Sequence, residues 1–409
     1  MRQKPVSRPE AMDLFSAAPL PVAALDDAQR LACLRLIRSE NVGPATYRAL
    51  INHFGGAREA LAALPDLGRQ GGRKRPIRIC PVATAEAEIE AARRAGAQIL
   101  FTIEPGYPAP LAFTEGAPPL LYAKGRVELL GRPMIAIVGS RQASAAGITL
   151  ARSFAGSFGA AGYVVCSGLA RGIDAAAHQA ALATGTVAVL AGGIDNVYPP
   201  EHKALQAEIA DHGCLVCEQP IGFQPRAQDF PRRNRIISGV ARAVLVVEAA
   251  RRSGTLITAR LANEQGRDVF AVPGHPLDPR AEGTNQLIKD GAGMATAPED
   301  VLRQLAGRLD PAFSPLPSLP LPVALPGHGH SREEAATRAS SPTIASPTDS
   351  AHAIAAVEQA LGPAPVNLDE IVRTTGLPTR LVQIAVMELA LAGAIEFHGS
   401  QLVSLKPQA

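Results

Sequence analysis

The chain has 409 residues, 47% of them hydrophobic and 19% charged, which is enough apolar material for two or three packed domains and excludes disorder throughout. Its net charge of +3 excludes a strongly acidic protein and by itself says little about an anionic partner. Apolar runs such as Ile135 to Val138 stop far short of the roughly 18 residues that cross a bilayer. The N-terminus has no continuous apolar segment, so neither a membrane span nor a secretory leader is expected, and the expected compartment is the cytoplasm.

Residues 1–25 are rich in Pro and Ala without period and are expected to fray as a tail. From Asp26 the spacing of Leu31, Leu34 and Ile37 predicts an amphipathic helix ending at Asn41-Val-Gly43-Pro44. A second helix is predicted from about Ala45 to His53, closed by Gly55-Gly56. Two helices around a Gly-containing turn resemble a helix-hairpin-helix, whose turn can present backbone amides to phosphate. A purely structural hairpin fits equally well. Arg73, Lys74 and Arg75 fall in a Gly-rich loop, and a helix at about Thr84 to Ala95 completes a small helical domain over 26–96.

The middle of the chain alternates strand and helix. Short apolar runs at Ile135–Val138, Tyr163–Cys166, Val187–Leu190, Cys214–Cys217, Val244–Val247 and Val269–Val272 are separated by helical patterns near 145–161, 174–184, 200–212, 231–241 and 255–266. This is the pattern of a doubly wound α/β fold, extended Rossmann-like and mainly parallel, over 97–308. Runs at Gln98–Thr102 and Leu120–Ala123 lengthen its sheet. Cys214 and Cys217 form a CxxC, but within an apolar strand and without partner ligands they read as buried thiols, and no metal is expected. A Pro/Ser-rich linker follows over 309–350. Helices near 351–361, 367–375 and 378–392, then a hairpin around Gly399-Ser400, predict a winged helix over 351–409. Its third helix carries only Arg380 as a base, which favours protein contact over duplex reading.

In such a sheet, ligands bind at the carboxyl ends of the strands, and polar chemistry gathers there. The first central strand runs into Gly139-Ser140-Arg141, an anion-friendly turn, but without GxGxxG spacing or an acid for a ribose, so a dinucleotide cofactor is disfavoured and no cofactor is expected. The next strands end in Ser167-Gly168 with Arg171 and Asp174, and in Gly192-Gly193-Ile-Asp195. The economical cause of three glycine-rich strand ends is close approach of an extended anionic ligand. Between Arg226 and Arg260 lie eight arginines against Asp229 and Glu248. Within that stretch, Arg232 and Arg235 sit three apart on a helix beside Phe230 and Asn234, which suits phosphate neutralisation with base stacking. Ser253-Gly254-Thr255 opens another helix as a further anion nest. His178 reads as a packing residue more readily than a catalyst, and Asp195 is the other acid-base candidate.

The ordered motifs IAIVGSRQ, SGLARGIDAAAH, AGGIDNVYPPEH, FPRRNRIISG, VVEAARRSGTLITARLANEQGRDVFAVPG and GTNQLIKDGA resemble the DNA-processing protein A (DprA/Smf) family over roughly residues 98–308. The resemblance implies a bacterial cytoplasmic protein that binds single-stranded DNA on its Rossmann domain. It further implies that the protein helps load RecA recombinase, protects incoming DNA in natural transformation and forms a homodimer through that domain. It points to Gly139, Ser140, Arg141, Phe230, Arg232 and Arg235 as strand contacts and adds Arg226 from the preceding loop. Loss of affinity with the fold retained is the expectation for Arg141→Ala or Arg235→Ala. The alternative is a nucleotide-phosphate hydrolase of the lysine-decarboxylase-like type. Its PGGxGTxxE loop is met here by Arg251-Arg252-Ser253-Gly254-Thr255-Leu-Ile-Thr258, without the leading glycines and with threonine in place of the acid.

Overall fold

A computed structural model describes residues 24–70, 75–114, 116–306, 347–362, 366–397 and 402–406. Nearly all of the Pro/Ala-rich start, Arg73 and Lys74, most of the linker and the Gly399-Ser400 turn lie outside the described residues.

Four helices open the chain: α1 (Asp27–Ile37), α2 (Pro44–Phe54), α3 (Ala57–Gln70) and α4 (Val82–Arg94). A reciprocal capping box starts α1, in which the Asp26 carboxylate accepts from the Gln29 amide at 2.7 Å and the Gln29 side chain accepts from the Asp26 amide. Pro44 stands at the first position of α2, where its missing N–H costs nothing. The sequence pattern did not predict α3, because Pro65 interrupts it. Its Leu61, Leu64 and Leu67 nonetheless recur at helical spacing and are all buried.

There follow β1 (Gln98–Phe101), α5 (Ala109–Ala112), β2 (Leu120–Gly125), β3 (Met134–Gly139), α6 (Ala145–Ala160), β4 (Val164–Ser167), α7 (Ile173–Ala181), β5 (Thr186–Val189), α8 (Lys203–His212), β6 (Cys214–Cys217), α9 (Asp229–Val240), β7 (Ala243–Val247), α10 (Gly254–Glu264), β8 (Asp268–Ala271), α11 (Glu282–Lys289), β9 (Gly293–Met294) and α12 (Pro298–Ala306). The strands form a nine-stranded sheet in the order β1-β2-β6-β5-β4-β3-β7-β8-β9. It is parallel from β6 to β9, and β1 and β2 add antiparallel at the β6 edge. The chain winds outward from β3 to β6, then returns to β7 and winds the other way, so β3/β7 is the switch point at which such sheets open a crevice.

Alternation along the strands sorts the core into two layers. Ile135 and Ile137 pack with Phe154 and Phe158 of α6 on one face, while Ala136 and Val138 pack with Ile236 and Ile237 of α9 on the other. The same alternation sends Cys214 and Cys217 into different layers, so the two thiols cannot close on one metal. Burial pushes the Cys214 thiol up to about 12 and raises Cys217 as well. The N-terminal helices share a core with one sheet face. They are tied to it by Arg30 with Glu104 and by Arg38, whose guanidinium meets Glu88 at 2.8 Å and Tyr122 at 3.2 Å.

At the C-terminus, α13 (Pro347–Ala360), β10 (Val366–Asn367), α14 (Leu368–Thr375), α15 (Thr379–Ala392), β11 (Ile395–Phe397) and β12 (Leu402–Leu405) build a winged helix with a three-stranded sheet ordered β10-β12-β11. Helix α13 begins at Pro347, inside the stretch read as linker. One side of α15 packs in this unit's own core through Val382, Val386 and Leu389. Met387 and Leu391 on its other side enter the core of α1, α2 and α3. Asn41, in the α1–α2 turn, donates its side-chain amide to the Leu391 carbonyl at 2.8 Å. The hairpin turn considered as a phosphate seat thus holds the end of α15.

Candidate functional site

A pocket opens beyond the carboxyl ends of β3, β4 and β5. It is lined by Arg141 after β3, Gly168 to Arg171 after β4, Gly192, Asn196 and Tyr198 after β5, and Phe230 and Arg233 from α9. Five of the residues singled out in the sequence, Arg141, Gly168, Arg171, Gly192 and Phe230, meet here. Arg141 is exposed, with its guanidinium carbon 5.7 Å from the Phe230 ring centroid, and the Tyr198 ring lies 4.8 Å from that centroid at 52°. Arg171 is exposed at the rim and paired with Glu201.

A second group adjoins the pocket. The Thr255 hydroxyl donates to the Gly139 carbonyl at 3.0 Å, and the Asn234 side chain donates to the Gly254 carbonyl at 3.4 Å. These bonds draw the β3 turn, the start of α9 and the start of α10 together, with Ser140 beside them. Ser253 caps α10 by accepting from the Thr255 amide at 3.2 Å. Among the described residues the exposed arginines 141, 226, 232, 251 and 252 make no ion pair, so this edge carries unneutralised positive charge. The sequence does not single out Arg251 and Arg252 as ligand contacts, but their loop joins the site through the Thr255 bond.

The foundation of the pocket is a residue the sequence did not single out. Arg233, 7% exposed, reaches beneath the strand ends, where its guanidinium donates to the Gly168 carbonyl at 2.8 Å and to the Val189 carbonyl. Burial pulls it down to about 10, offset by the nearby Asp174. Burial also raises the Asp174 carboxyl, opposed by Arg233 and by the Gly168 and Ala170 amides, which donate to it at 3.1 and 3.3 Å. Asp174 therefore shapes the β4 loop.

Three expectations are corrected. Ser167 is fully buried and donates its hydroxyl to the Ile137 carbonyl at 2.6 Å, so it faces no ligand. Arg235 does not share the outer face with Arg232: it meets Glu218 at 2.6 Å with both side chains only 16% exposed. Its removal costs packing as well as charge, so the fold is not a bystander in Arg235→Ala. The glycines serve the chain's own packing. A Cβ on Gly168 would lie 2.6 Å from the Arg233 guanidinium, and one on Gly193 the same distance from the Pro220 carbonyl. His178, read as a packing residue, is fully buried, and Asp195, the other acid-base candidate, accepts from the Gly222 amide at 2.9 Å.

A family model described as DNA recombination-mediator protein A matches residues 98–306, about half of the chain. Models of the DprA-like N-terminal HHH domain and the DprA winged helix domain match 27–91 and 338–400. The chain belongs to the DprA/Smf family. Protein Smf of Escherichia coli is 46% identical over 202 residues, 49% of this chain and 54% of that one, so the match spans about half of that relative's length. Protein Smf of Synechocystis is 35% identical over 313 residues, 73% of this chain and 77% of that one. The solved structure of DNA processing protein A from Streptococcus pneumoniae aligns with 33% identity and a TM-score of 0.58, covering 69% of this chain and 99% of that one.

In this DprA/Smf chain the start of α6, where a Rossmann fold would seat a phosphate, is occupied from within. Val247 pairs with Gly139 in register, so the next residue, Glu248, reaches the α6 terminus. Its carboxylate accepts from the Ser144 amide at 3.0 Å and from the Ser144 hydroxyl, while the Ser144 hydroxyl oxygen accepts from the Gly147 amide at 2.9 Å. Glu248 adopts a left-handed backbone (φ 58°) to do so, a strained conformation for a residue with a side chain. The start of α6 is thus closed to a phosphate, and the outward turn at Gly139–Arg141 is what remains for a ligand's phosphates.

Proposed function

We propose that this protein binds single-stranded DNA along the carboxyl edge of its parallel sheet, as a mediator that shields the strand and helps load RecA recombinase onto it during transformation. What carries this reading is the pocket in which the unpaired guanidinium of Arg141 lies against the Phe230–Tyr198 ring pair, with further free arginines on the same edge. A cationic edge neutralises phosphates without regard to sequence, and aromatic rings offer a surface to bases that are not locked in a duplex. The match to the recombination-mediator family over the domain that holds this pocket supports the reading.

We take the chain to be a binding protein acting in the cytoplasm, with no chemical step of its own. The fully formed start of α6 is filled by Glu248, and Thr258, at the position of the hydrolases' acid, is 2% exposed. Both features speak against nucleotide hydrolysis. We further propose a homodimer through the sheet domain, which exposes the apolar side chains of Leu277 and of Met294 on the edge strand β9.

Fluorescence anisotropy of labelled single- and double-stranded oligonucleotides tests the reading. Wild type is expected to prefer single strands, with affinity falling steeply as salt rises. Arg141→Ala is expected to weaken single-strand binding about tenfold or more, and to slow RecA assembly on coated strands in the same measure. Equal, weak binding to both oligonucleotides would overturn it.

A further inference from the structure

We propose that Tyr198 is the ring on which a DNA base stacks, with Phe230 serving as its support. This deepens the single-strand reading above and rests on it.

The two rings differ in what they still have to offer. Phe230 lies in the first turn of α9, half-buried, and already touches both the Arg141 guanidinium and the Tyr198 ring. Tyr198 lies on the loop after β5 and is 48% exposed, whereas the other four tyrosines of the chain, Tyr47, Tyr107, Tyr122 and Tyr163, are 2%, 4%, 0% and 5% exposed. A ring that merely roofed the apolar floor at Leu169 and Leu190 would be covered like those four. Tyr198 instead lines the pocket with much of its surface in water.

It is also held ready. The tilted contact with Phe230 fixes its plane at favourable ring geometry. The loop that carries it is pinned at Asn196, two residues before the ring, where the Gln206 side chain donates to the Asn196 carbonyl at 3.1 Å and the Asn196 side chain donates to Gln224 at 2.6 Å. A rigid phenol with only two side-chain torsions loses little freedom when a flat partner settles on it. Arg141, which makes no ion pair among the described residues, stands at one end of the ring pair, so a phosphate beside a stacked base would meet its guanidinium, while Arg171 at the rim is already held by Glu201. The chemistry is that of an unpaired nucleobase within a strand, with little preference among bases because each has a π-face.

The protein has no tryptophan, so its near-ultraviolet emission comes from tyrosine, and Tyr198 is the one tyrosine open to a ligand. Oligo-deoxythymidylate titrated into wild type is expected to quench that emission as it binds. In Tyr198→Phe, anisotropy is expected to report affinity within about twofold of wild type while the quenching disappears. Tyr198→Ala is expected to weaken binding about tenfold with an unchanged melting temperature. Quenching that persists in Tyr198→Phe, or unchanged affinity in Tyr198→Ala, would overturn the inference. Arg141→Ala serves as the separate arm: if it too binds like wild type, the whole pocket reading fails, whereas if it alone loses affinity, only the role of Tyr198 does.

Discussion

The hydroxyl of Thr186 has one proton, and it goes to the Val165 carbonyl at 2.8 Å. The 2.7 Å contact with His178 must therefore use the imidazole Nδ1–H as donor, leaving Nε2 bare and buried without a partner. Protonating Nε2 would put a charge in a dry site, and burial holds this histidine down to about 3 from an ordinary 6.5, helped by His202 and Arg233. Because the unfolded chain takes up that proton and the folded one does not, stability is whole above about pH 6.5 and is lost as pH falls towards 3. Between pH 7 and 5 this one group accounts for about 2 kcal/mol. Denaturant melts of His178→Gln are expected to show a flatter pH profile over that range, and a profile parallel to wild type would contradict the assignment. Glu248 acts at the same scale with a different consequence. A mononucleotide would find the usual seat at a Rossmann helix start already holding a carboxylate, so it is expected to compete poorly with a strand bound, as proposed, at the outer turn.

Helix α9 shows how one element divides its charges. Arg232 faces solvent, Arg233 anchors two strand ends from below, and Arg235 clasps Glu218 at the end of β6. A double-mutant cycle of Arg235→Met with Glu218→Gln is expected to give a stability coupling of about 1–3 kcal/mol, and additive effects would show that the pair contributes nothing. The sequence made α9 and its basic character plain, together with the parallel strands, because buried strands appear as unbroken apolar runs ending in glycine. It could not assign the three arginines, because which of them turns inward depends on a carboxylate and two carbonyls brought in from β4, β5 and β6. Tyr198 was hidden for a similar reason: nothing in a Pro-rich loop announces that its ring will meet Phe230, thirty-two positions on (230 − 198). Helix α3 was obscured by Pro65, and β9, with two residues, is too short to carry a period.

Across the whole molecule, the first and last folded units meet. Met387 and Leu391 of α15 share a core with α1, α2 and α3, and Asn41 holds the Leu391 carbonyl. A winged helix that docked this helix in a DNA groove would have to withdraw these side chains first. Hydrogen exchange of Met387→Ser is expected to show α15 and α2 losing protection together while β3 to β7 keep theirs, and loss confined to α15 would refute the shared core. Both units belong to one covalent chain, which makes their docking an intramolecular event. Dilution does not undo it, and a protein or duplex that seeks the same face of α15 must outcompete a rival that is always present at the same local concentration.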